Sequence, residues 1–199
     1  MLQIRDLVKT DNLARLEKAL TAGNWAEGQL ANAKTGADLS KLILDAAHDD
    51  GKFLSAALPV KMSTPTIRRN ETGSVVPSCV IPAIQSLQEE AEGKLRTDLA
   101  ATLFISQPDE YDGGELIVGS PYNEQLIKLP AGHLFLCPVG ELRGIRAVKR
   151  GVCFADFLDS QHGTRRCAAA NPFRARFFRS RASRSNTGPP FGGQTYGGL

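Results

Sequence analysis

An α+β fold is predicted for this chain: a double-stranded β-helix (jelly roll) or a similar antiparallel sandwich, with N-terminal helices packed on one face. Two observations predict it. Apolar residues recur with a helical period before residue 50, and from residue 99 onward they form short apolar or alternating runs separated by turns. The chain has 199 residues, 42% of them hydrophobic, which is enough for one domain with a core plus appendages.

Two helices are predicted before the strands. The first runs from Thr10 to Ala22, with Thr10 or Asp11 as its cap and Gly23 as its stop. The second runs from Ala37 to His48, and Gly51 is expected to lie just beyond it. Their apolar residues recur at helical spacing: Leu13, Leu16 and Leu20, then Leu39, Leu42, Ile43, Ala46 and Ala47. The Trp25 region and residues 26–36 are expected to be a connection or an irregular edge strand.

The strands of the predicted sandwich follow in the second half of the chain. They are expected at 99–105, 115–118, 126–129, 134–137 and 152–158. Glycine, proline and asparagine mark the turns between them, at 111–114, 120–123 and 130–132.

The charges are distributed unevenly along the chain. Residues 160–199 contain seven arginines and no acidic residue, so a net charge of +3 for the whole chain leaves −4 for the rest. This extension has no clean period, and its Gly-Pro-rich end is typical of extended or disordered segments. We therefore predict a core domain over 1–161 and an Arg-rich, Gly/Pro-rich extension over 162–199 that meets a partner.

Cysteine usage and hydropathy suggest a location. The four cysteines are Cys79, Cys137, Cys153 and Cys167, and they form neither a CxxC pair nor a zinc-ligand pattern. No apolar run approaches the roughly 18 residues that span a bilayer, and the first residues carry no secretory pattern. We expect a cytoplasmic protein.

Three segments carry a resemblance to a known family. They are residues 95–106 (LRTDLAATLFIS), 111–116 (YDGGEL) and 128–132 (KLPAG), and in this order and spacing they resemble the PKHD-type hydroxylases, which are bacterial iron(II)/2-oxoglutarate dioxygenases. The resemblance extends back through Trp25 to Gly28 and Ala56 to Pro59, and it covers residues 1 to about 161. It implies the same jelly-roll fold.

The resemblance also implies where the family's site residues fall. In that family a His-x-Asp pair and a distal His hold iron(II), and an Arg binds the far carboxylate of 2-oxoglutarate. These four positions correspond here to Cys79, Ile81, Arg143 and Cys153, so all of them are changed. The histidines that the chain does have, at 48, 133 and 162, lie elsewhere in the pattern.

The chemistry of the replacements predicts a degenerate pocket. Ile81 has no lone pair, Arg143 remains protonated at physiological pH, and Cys79 alone has an atom that can bind a metal. From the sequence we therefore expect no catalytic residue, no metal and no cofactor. Arg143 is expected to be a plain surface arginine or to pair with Glu141 or Asp156, and the alternative is that it binds an anion in the pocket.

Three functions are compatible with these patterns. The leading hypothesis is a non-catalytic scaffold or accessory subunit, docked by its basic extension onto a larger protein or ribonucleoprotein assembly. The second is an active hydroxylase that uses iron(II) and 2-oxoglutarate with other ligands, for which His133 or Asp98 are the first candidates. The third is a module that binds RNA or another anion, such as an anionic membrane surface. Its contacts, and those of the scaffold, would come from Arg165, Arg166, Phe173, Arg174, Arg176, Phe177, Phe178, Arg179, Arg181 and Arg184.

Overall fold

A computed structural model describes residues 1–86, 94–120 and 122–160. This part of the chain contains three helices, α1 (Thr10–Ala22), α2 (Ala33–Asp49) and α3 (Gly51–Ala57). Its strands are β1 (Leu2–Ile4), β2 (Trp25–Ala26), β3 (Gln29–Leu30), β4 (Lys61–Met62), β5 (Thr66–Asn70), β6 (Val76–Val80), β7 (Ile84–Ser86), β8 (Lys94–Arg96), β9 (Leu99–Phe104), β10 (Asp112–Gly113), β11 (Leu116–Ser120), β12 (Asn123–Ile127), β13 (Leu134–Pro138), β14 (Leu142–Ile145), β15 (Val148–Arg150) and β16 (Val152–Ser160).

Helix α1 has the predicted bounds and ends before Gly23, as expected. The predicted cap is wrong, because the helix begins after Lys9 and no side chain caps it. Thr10 and Asp11 already belong to the first turn, where Asp11 places a negative charge near the positive end of the helix dipole.

Helix α2 is longer than predicted, and α3 was not predicted. Asn32 caps α2, since its side chain accepts hydrogen bonds from the backbone N–H groups of Lys34 and Thr35 at 3.1 and 3.2 Å. Gly51 was expected to lie beyond the helices but begins α3 instead. The cause is Asp50, whose carboxylate accepts from the Phe53 N–H at 2.7 Å and starts the new helix.

Two antiparallel sheets form the body of the protein. The larger has the strand order β1-β13-β9-β16-β5-β3-β2, with β4 also paired to β16, and the smaller has the order β12-β11-β14-β6. Strands that neighbour each other in space come from distant parts of the chain, as in a double-stranded β-helix. The predicted α+β jelly roll is thus confirmed. Of the region expected to be a connection or an irregular edge strand, β2 is an edge strand and β3 pairs on both sides, while residues 33–36 already belong to α2.

Each face of the larger sheet borders its own core. Alternate residues of β9 point to opposite faces, so Ala101 and Leu103 pack with the helices while Ala100 and Phe104 point between the sheets. In the core between the sheets the rings of Phe104 and Phe154 meet edge to face, with centroids 5.1 Å apart. The helices therefore cover one face of the larger sheet, and its other face borders the core between the two sheets.

The turn predicted at residues 111–114 is wrong, because this segment contains the short strand β10, and the strand needs its glycines. Gly113 has φ +67°, and a Cβ there would lie 2.0 Å from the Ala147 carbonyl oxygen. This close approach is where β10 pairs with β15.

Strand β6 lies at the edge of the smaller sheet and pairs with β14 on one side. Its last four residues, Pro77 to Val80, are exposed to solvent. Pro77 interrupts the row of backbone donors in this strand because proline has no N–H group.

The predicted extension over 162–199 lies outside the described residues, as does the boundary at 161. Among the residues that are described, no helix is long and apolar enough to cross a membrane.

Candidate functional site

The pairing of β6 with β14 brings two of the four predicted pocket positions together. Cys79 and Arg143 are directly opposite each other in this antiparallel pair. Arg143 is also opposite Val118 of β11, so it occupies a central strand, whereas Cys79 lies on the exposed edge strand. Cys79 is a free thiol. Positions 64 residues apart in the sequence are thus neighbours because of strand register.

Of the other two pocket positions, one follows β6 and the other lies within β16 of the larger sheet. Ile81 follows β6 by one residue, is half-buried, and packs against the core between the sheets. Cys153 belongs to β16, where it is opposite Arg69 of β5. The side chain of Cys153 lies outside the described part, so only its backbone position is known.

Arg143 is held by an acid and a hydroxyl from the larger sheet. Its Nη2 donates to the Asp156 carboxylate at 3.2 Å and to the Thr102 hydroxyl. Thr102 in turn donates to the same Asp156 oxygen at 2.5 Å. Asp156 and Thr102 are directly opposite each other on β16 and β9, so both side chains point between the sheets. We call these three residues the polar centre.

Of the two acids expected near Arg143, Asp156 is the one that bonds to it. Sequence reasoning missed Thr102, although it is a polar residue within the apolar run that forms β9. Its burial at 1% exposure, in a strand of otherwise apolar residues, is explained by its two hydrogen bonds.

The polar centre is unevenly solvated. The Arg143 side chain is 11% exposed and that of Asp156 is 36% exposed. The Nε of Arg143 is buried and has no hydrogen-bond partner in the described part of the chain. Burial raises the pKa of the nearby Cys137 thiol, and among the surrounding charges Arg143 acts on that pKa most strongly, lowering it, while Asp156 raises it less.

The two alternative ligand candidates have other neighbours. The His133 Nδ1 lies 3.8 Å from an Asp6 carboxylate oxygen, and Asp98 accepts a hydrogen bond from the Arg96 Nε at 3.0 Å. Within residues 1–86, 94–120 and 122–160, no three His, Cys, Asp or Glu side chains are placed to hold a metal ion. The structure thus gives the second hypothesis no ligand set within these ranges.

A further buried acid, Asp159, was not predicted. It has no exposed surface, and neither of its carboxylate oxygens has a hydrogen-bond partner of good geometry in the described chain. Burial raises its pKa to about 6, and the negative charge of Asp98 adds to the effect, while the Ser160 backbone N–H opposes it. Asp159 lies on β16 opposite Leu99 and Met62, three residues beyond the polar centre.

Sequence comparison finds a consistent set of relatives. No family model matches the chain. A PKHD-type hydroxylase of Bordetella pertussis is 37% identical over 174 residues, covering 79% of this chain and 76% of the relative. One of Klebsiella pneumoniae is 34% identical over 174 residues, with 79% and 77% covered.

Structural comparison finds the same fold in distant proteins. An oxidoreductase of the 2OG-Fe(II) oxygenase family from Burkholderia pseudomallei superposes with a TM-score of 0.57 at 12% identity, covering 81% of this chain and 85% of the other. HygX from Streptomyces hygroscopicus, with nickel, 2-oxoglutarate and hygromycin B bound, has a TM-score of 0.51 at 13% identity, with 80% and 82% covered.

One expectation from the sequence needs correction here. We expected no cofactor, and the comparisons contradict this: the HygX structure holds nickel and 2-oxoglutarate, and the Burkholderia protein is a 2OG-Fe(II) oxygenase. Replaced side chains at four positions were not sufficient grounds for that expectation. Iron(II) and 2-oxoglutarate are the cofactors to be considered for this fold.

Proposed function

The chain belongs to the PKHD-type hydroxylase family, and from this premise we propose that it has a non-catalytic role, as a scaffold or accessory subunit that docks through its basic C-terminal extension. The proposal has two parts. The first concerns the chemistry of the pocket, and the second concerns the extension.

The polar centre is the observation that supports the first part. The resemblance to the family places a metal-binding histidine at position 143, where this chain has an arginine. That guanidinium is bonded to Asp156 and Thr102. An arginine has donors only and carries a permanent positive charge, so it repels a dication at the place where the family's histidine would donate an electron pair.

The side chains at the four positions do not make a facial triad. A facial triad needs two imidazoles and a carboxylate that face one point. Ile81 has no donor atom, and the exposed Cys79 thiol is opposite the positive charge of Arg143. The carboxylate of Asp156 is already engaged by Arg143 and Thr102. These side chains therefore do not supply the three metal ligands of the family.

The test is turnover of the family's cofactors. We expect the purified full chain, supplied with iron(II), ascorbate and 2-oxoglutarate, to release no succinate above the protein-free rate. The Bordetella relative serves as the positive control. Succinate release by the unaltered chain, with iron bound in a one-to-one ratio, would overturn the proposal.

A restored variant makes a negative result informative. The combination Cys79→His, Ile81→Asp, Arg143→His and Cys153→Arg returns the family's residues to all four positions. If the fold still supports the family's pocket, this variant should bind iron(II) in the same assay. A variant that is folded by circular dichroism but binds no iron would mean that the loss does not lie in these four side chains.

The charge of the extension supports the docking part. Seven arginines and no acid lie within residues 160–199, and the remaining residues have a net charge of −4. Aromatic residues are interspersed with arginines in residues 173–181, a composition that suits an acidic groove on a protein or a nucleic acid. We infer that this basic segment attaches the core to an acidic surface of a partner.

The salt response separates these two kinds of partner. We expect the full chain to bind a single-stranded RNA probe weakly. In its native host the full chain should co-migrate with a larger assembly. A variant in which Arg174, Arg176, Arg179 and Arg181 are changed to glutamine should no longer co-migrate with that assembly. A steep loss of RNA affinity between 50 and 200 mM salt, of about a thousandfold, would favour the RNA-binding alternative instead.

A further inference from the structure

The end of β16 encloses a carboxyl group that nothing neutralises. Asp159 has no exposed surface, and neither of its carboxylate oxygens has a hydrogen-bond partner of good geometry in the described chain. Among the residues whose burial is described, it is the only buried Asp, Glu, Lys, Arg or His. A carboxyl group in these surroundings is stable only with its proton, because an enclosed and unpaired charge is strongly unfavourable.

The residues that face Asp159 are apolar. Its direct neighbours are Met62 on β4 and Leu99 on β9. Alternation along β16 places it on the same face as Phe157, which packs in the core beneath the helices. Ser40 is the only polar residue that the three helices bury, so they bring no buried charge to this carboxyl group.

The charged groups nearby do not neutralise Asp159 either. Burial raises its pKa to about 6, and the negative charge of Asp98 adds to this effect. The Asp98 carboxylate accepts a hydrogen bond from the Arg96 Nε at 3.0 Å, so this arginine pairs with the outer acid of the two. Lys61 of β4 is exposed and lies opposite Ser160 rather than Asp159.

Few backbone contacts hold this end of β16. Strand β4 has two residues, and they pair with Asp159 and Ser160. The Val60 N–H donates to the Ser160 carbonyl oxygen at 2.8 Å, and the Asp98 N–H donates to the Asp159 carbonyl oxygen at 2.9 Å. The pairing of β16 with β9 continues for five further residues, back to Phe154. The last two residues can therefore separate while the rest of the strand stays paired.

We propose that Asp159 makes the end of β16 sensitive to pH: loss of its proton separates Asp159 and Ser160 from β4 and from Asp98. In the open form the proton has passed to water, and the carboxylate is hydrated and distant from the second acid. Opening would free the residues that lead into the predicted basic extension over 162–199. The inference does not depend on the proposed function, because it involves neither the pocket nor a partner.

The opening has a defined direction with pH. The carboxyl group has a pKa of 3.8 when it is exposed and about 6 when it is enclosed. The closed form is therefore most stable below about pH 4, the opening equilibrium constant rises between about pH 4 and pH 6, and it changes little above that range. From pH 4.5 to pH 7 this constant should rise about twentyfold.

Amide hydrogen exchange of the full chain, followed by NMR, measures the opening. The amides of Val60 and Asp98 report on it, and the amides of residues 101–104 within β9 are the reference. After correction for the intrinsic effect of pH, we expect the two reporters to exchange faster than the reference. Their opening constant should rise about twentyfold from pH 4.5 to pH 7, and Asp159→Asn should abolish this rise.

Two further variants assign the response to this carboxyl group. Asp98→Asn removes the second negative charge and should move the rise to lower pH, which keeps the inference testable if Asp159→Asn fails to fold. Asp112→Asn removes an exposed carboxylate that pairs with Lys149, and it should leave the pH response unchanged.

Three results would overturn the inference. Reporter amides that exchange as slowly as the reference would mean that the end of β16 opens only when the whole fold does. Corrected reporter rates that are the same at pH 4.5 and pH 7 would mean that ionisation does not drive the opening. A pH response that persists in Asp159→Asn, or that Asp112→Asn removes, would assign it to another group.

Discussion

Replacing Asp159 by asparagine tests how much stability the protein loses by enclosing a carboxyl group. The pKa of Asp159 rises from 3.8 to about 6 on folding, chiefly through burial. This difference in pKa corresponds to about 3 kcal/mol, at about 1.4 kcal/mol for each tenfold change in the acid dissociation constant. The side chain has no exposed surface, so solvent screening does not reduce this figure substantially.

The direction in which stability changes with pH follows from the raised pKa of Asp159. Below about pH 4 the carboxyl is protonated in both the folded and the unfolded chain, and no penalty applies. Between about pH 4 and pH 6 the unfolded chain ionises first, so stability falls with rising pH, and the full penalty is present above about pH 6. Asparagine does not ionise and is free of this loss.

Urea denaturation at several pH values measures the effect. The free energy of unfolding of Asp159→Asn, relative to the unaltered protein, should rise by about 3 kcal/mol between pH 3.5 and pH 7.5. The control is Asp112→Asn, whose exposed ion pair with Lys149 contributes less than about 1 kcal/mol. A difference between Asp159→Asn and the unaltered protein that stays constant over this pH range would refute the reasoning.

Four other variants test single features. Phe53→Ala should lower stability by about 3 to 5 kcal/mol in chemical denaturation, since Phe53 is fully buried against Phe157, and a loss below 1 kcal/mol contradicts that packing. Gly113→Ala should lower the melting temperature, because its Cβ would meet a carbonyl oxygen at 2.0 Å; an unchanged melting temperature argues against this close approach of β10 to Ala147. Asp156→Asn should cost about 1 to 3 kcal/mol by depriving Arg143 of its acid, and thermal denaturation that shows a gain would contradict the ion pair. Cys79→Ser should remove one thiol equivalent from those that react with a thiol reagent under native conditions; an unchanged count means that Cys79 is not accessible.

The elements with a strong local pattern were predictable from the sequence. The leucines of α1 define its face without help from the rest of the chain, and its predicted bounds are correct. The predicted start of α2 was four residues late. The cap, Asn32, lies in a polar stretch, and the apolar residues that define the helical period begin several residues after it. Local chemistry at Asp50 would have revealed α3, but Gly51 was interpreted as a stop.

The strands that carry the pocket were harder to predict. Strand β6 is exposed over most of its length and contains a proline, so it has no apolar alternation to detect. Strand β14 contains a buried glycine beside Arg143 and is defined by its pairing with residues far away in the sequence. Only the resemblance to the family, which places metal-binding positions at both 79 and 143, indicated that these two strands belong to one site.

The candidate site was also predictable only in part. Residue chemistry at 143 predicted an acidic partner, and strand register then selected Asp156 rather than Glu141. Thr102 and Asp159 were missed because the sequence does not say which face of a strand is enclosed. Their positions follow from the pairing of β9 with β16.

The edge strand of the smaller sheet has a consequence for behaviour at high concentration. An open edge can recruit an identical strand from another molecule and begin the stacking that leads to fibrils. The imino acid at position 77 removes one of the hydrogen-bond donors that such stacking requires at every residue. Pro77→Val would supply that donor and a β-branched side chain, so concentrated samples of this variant should form aggregates sooner than the unaltered protein.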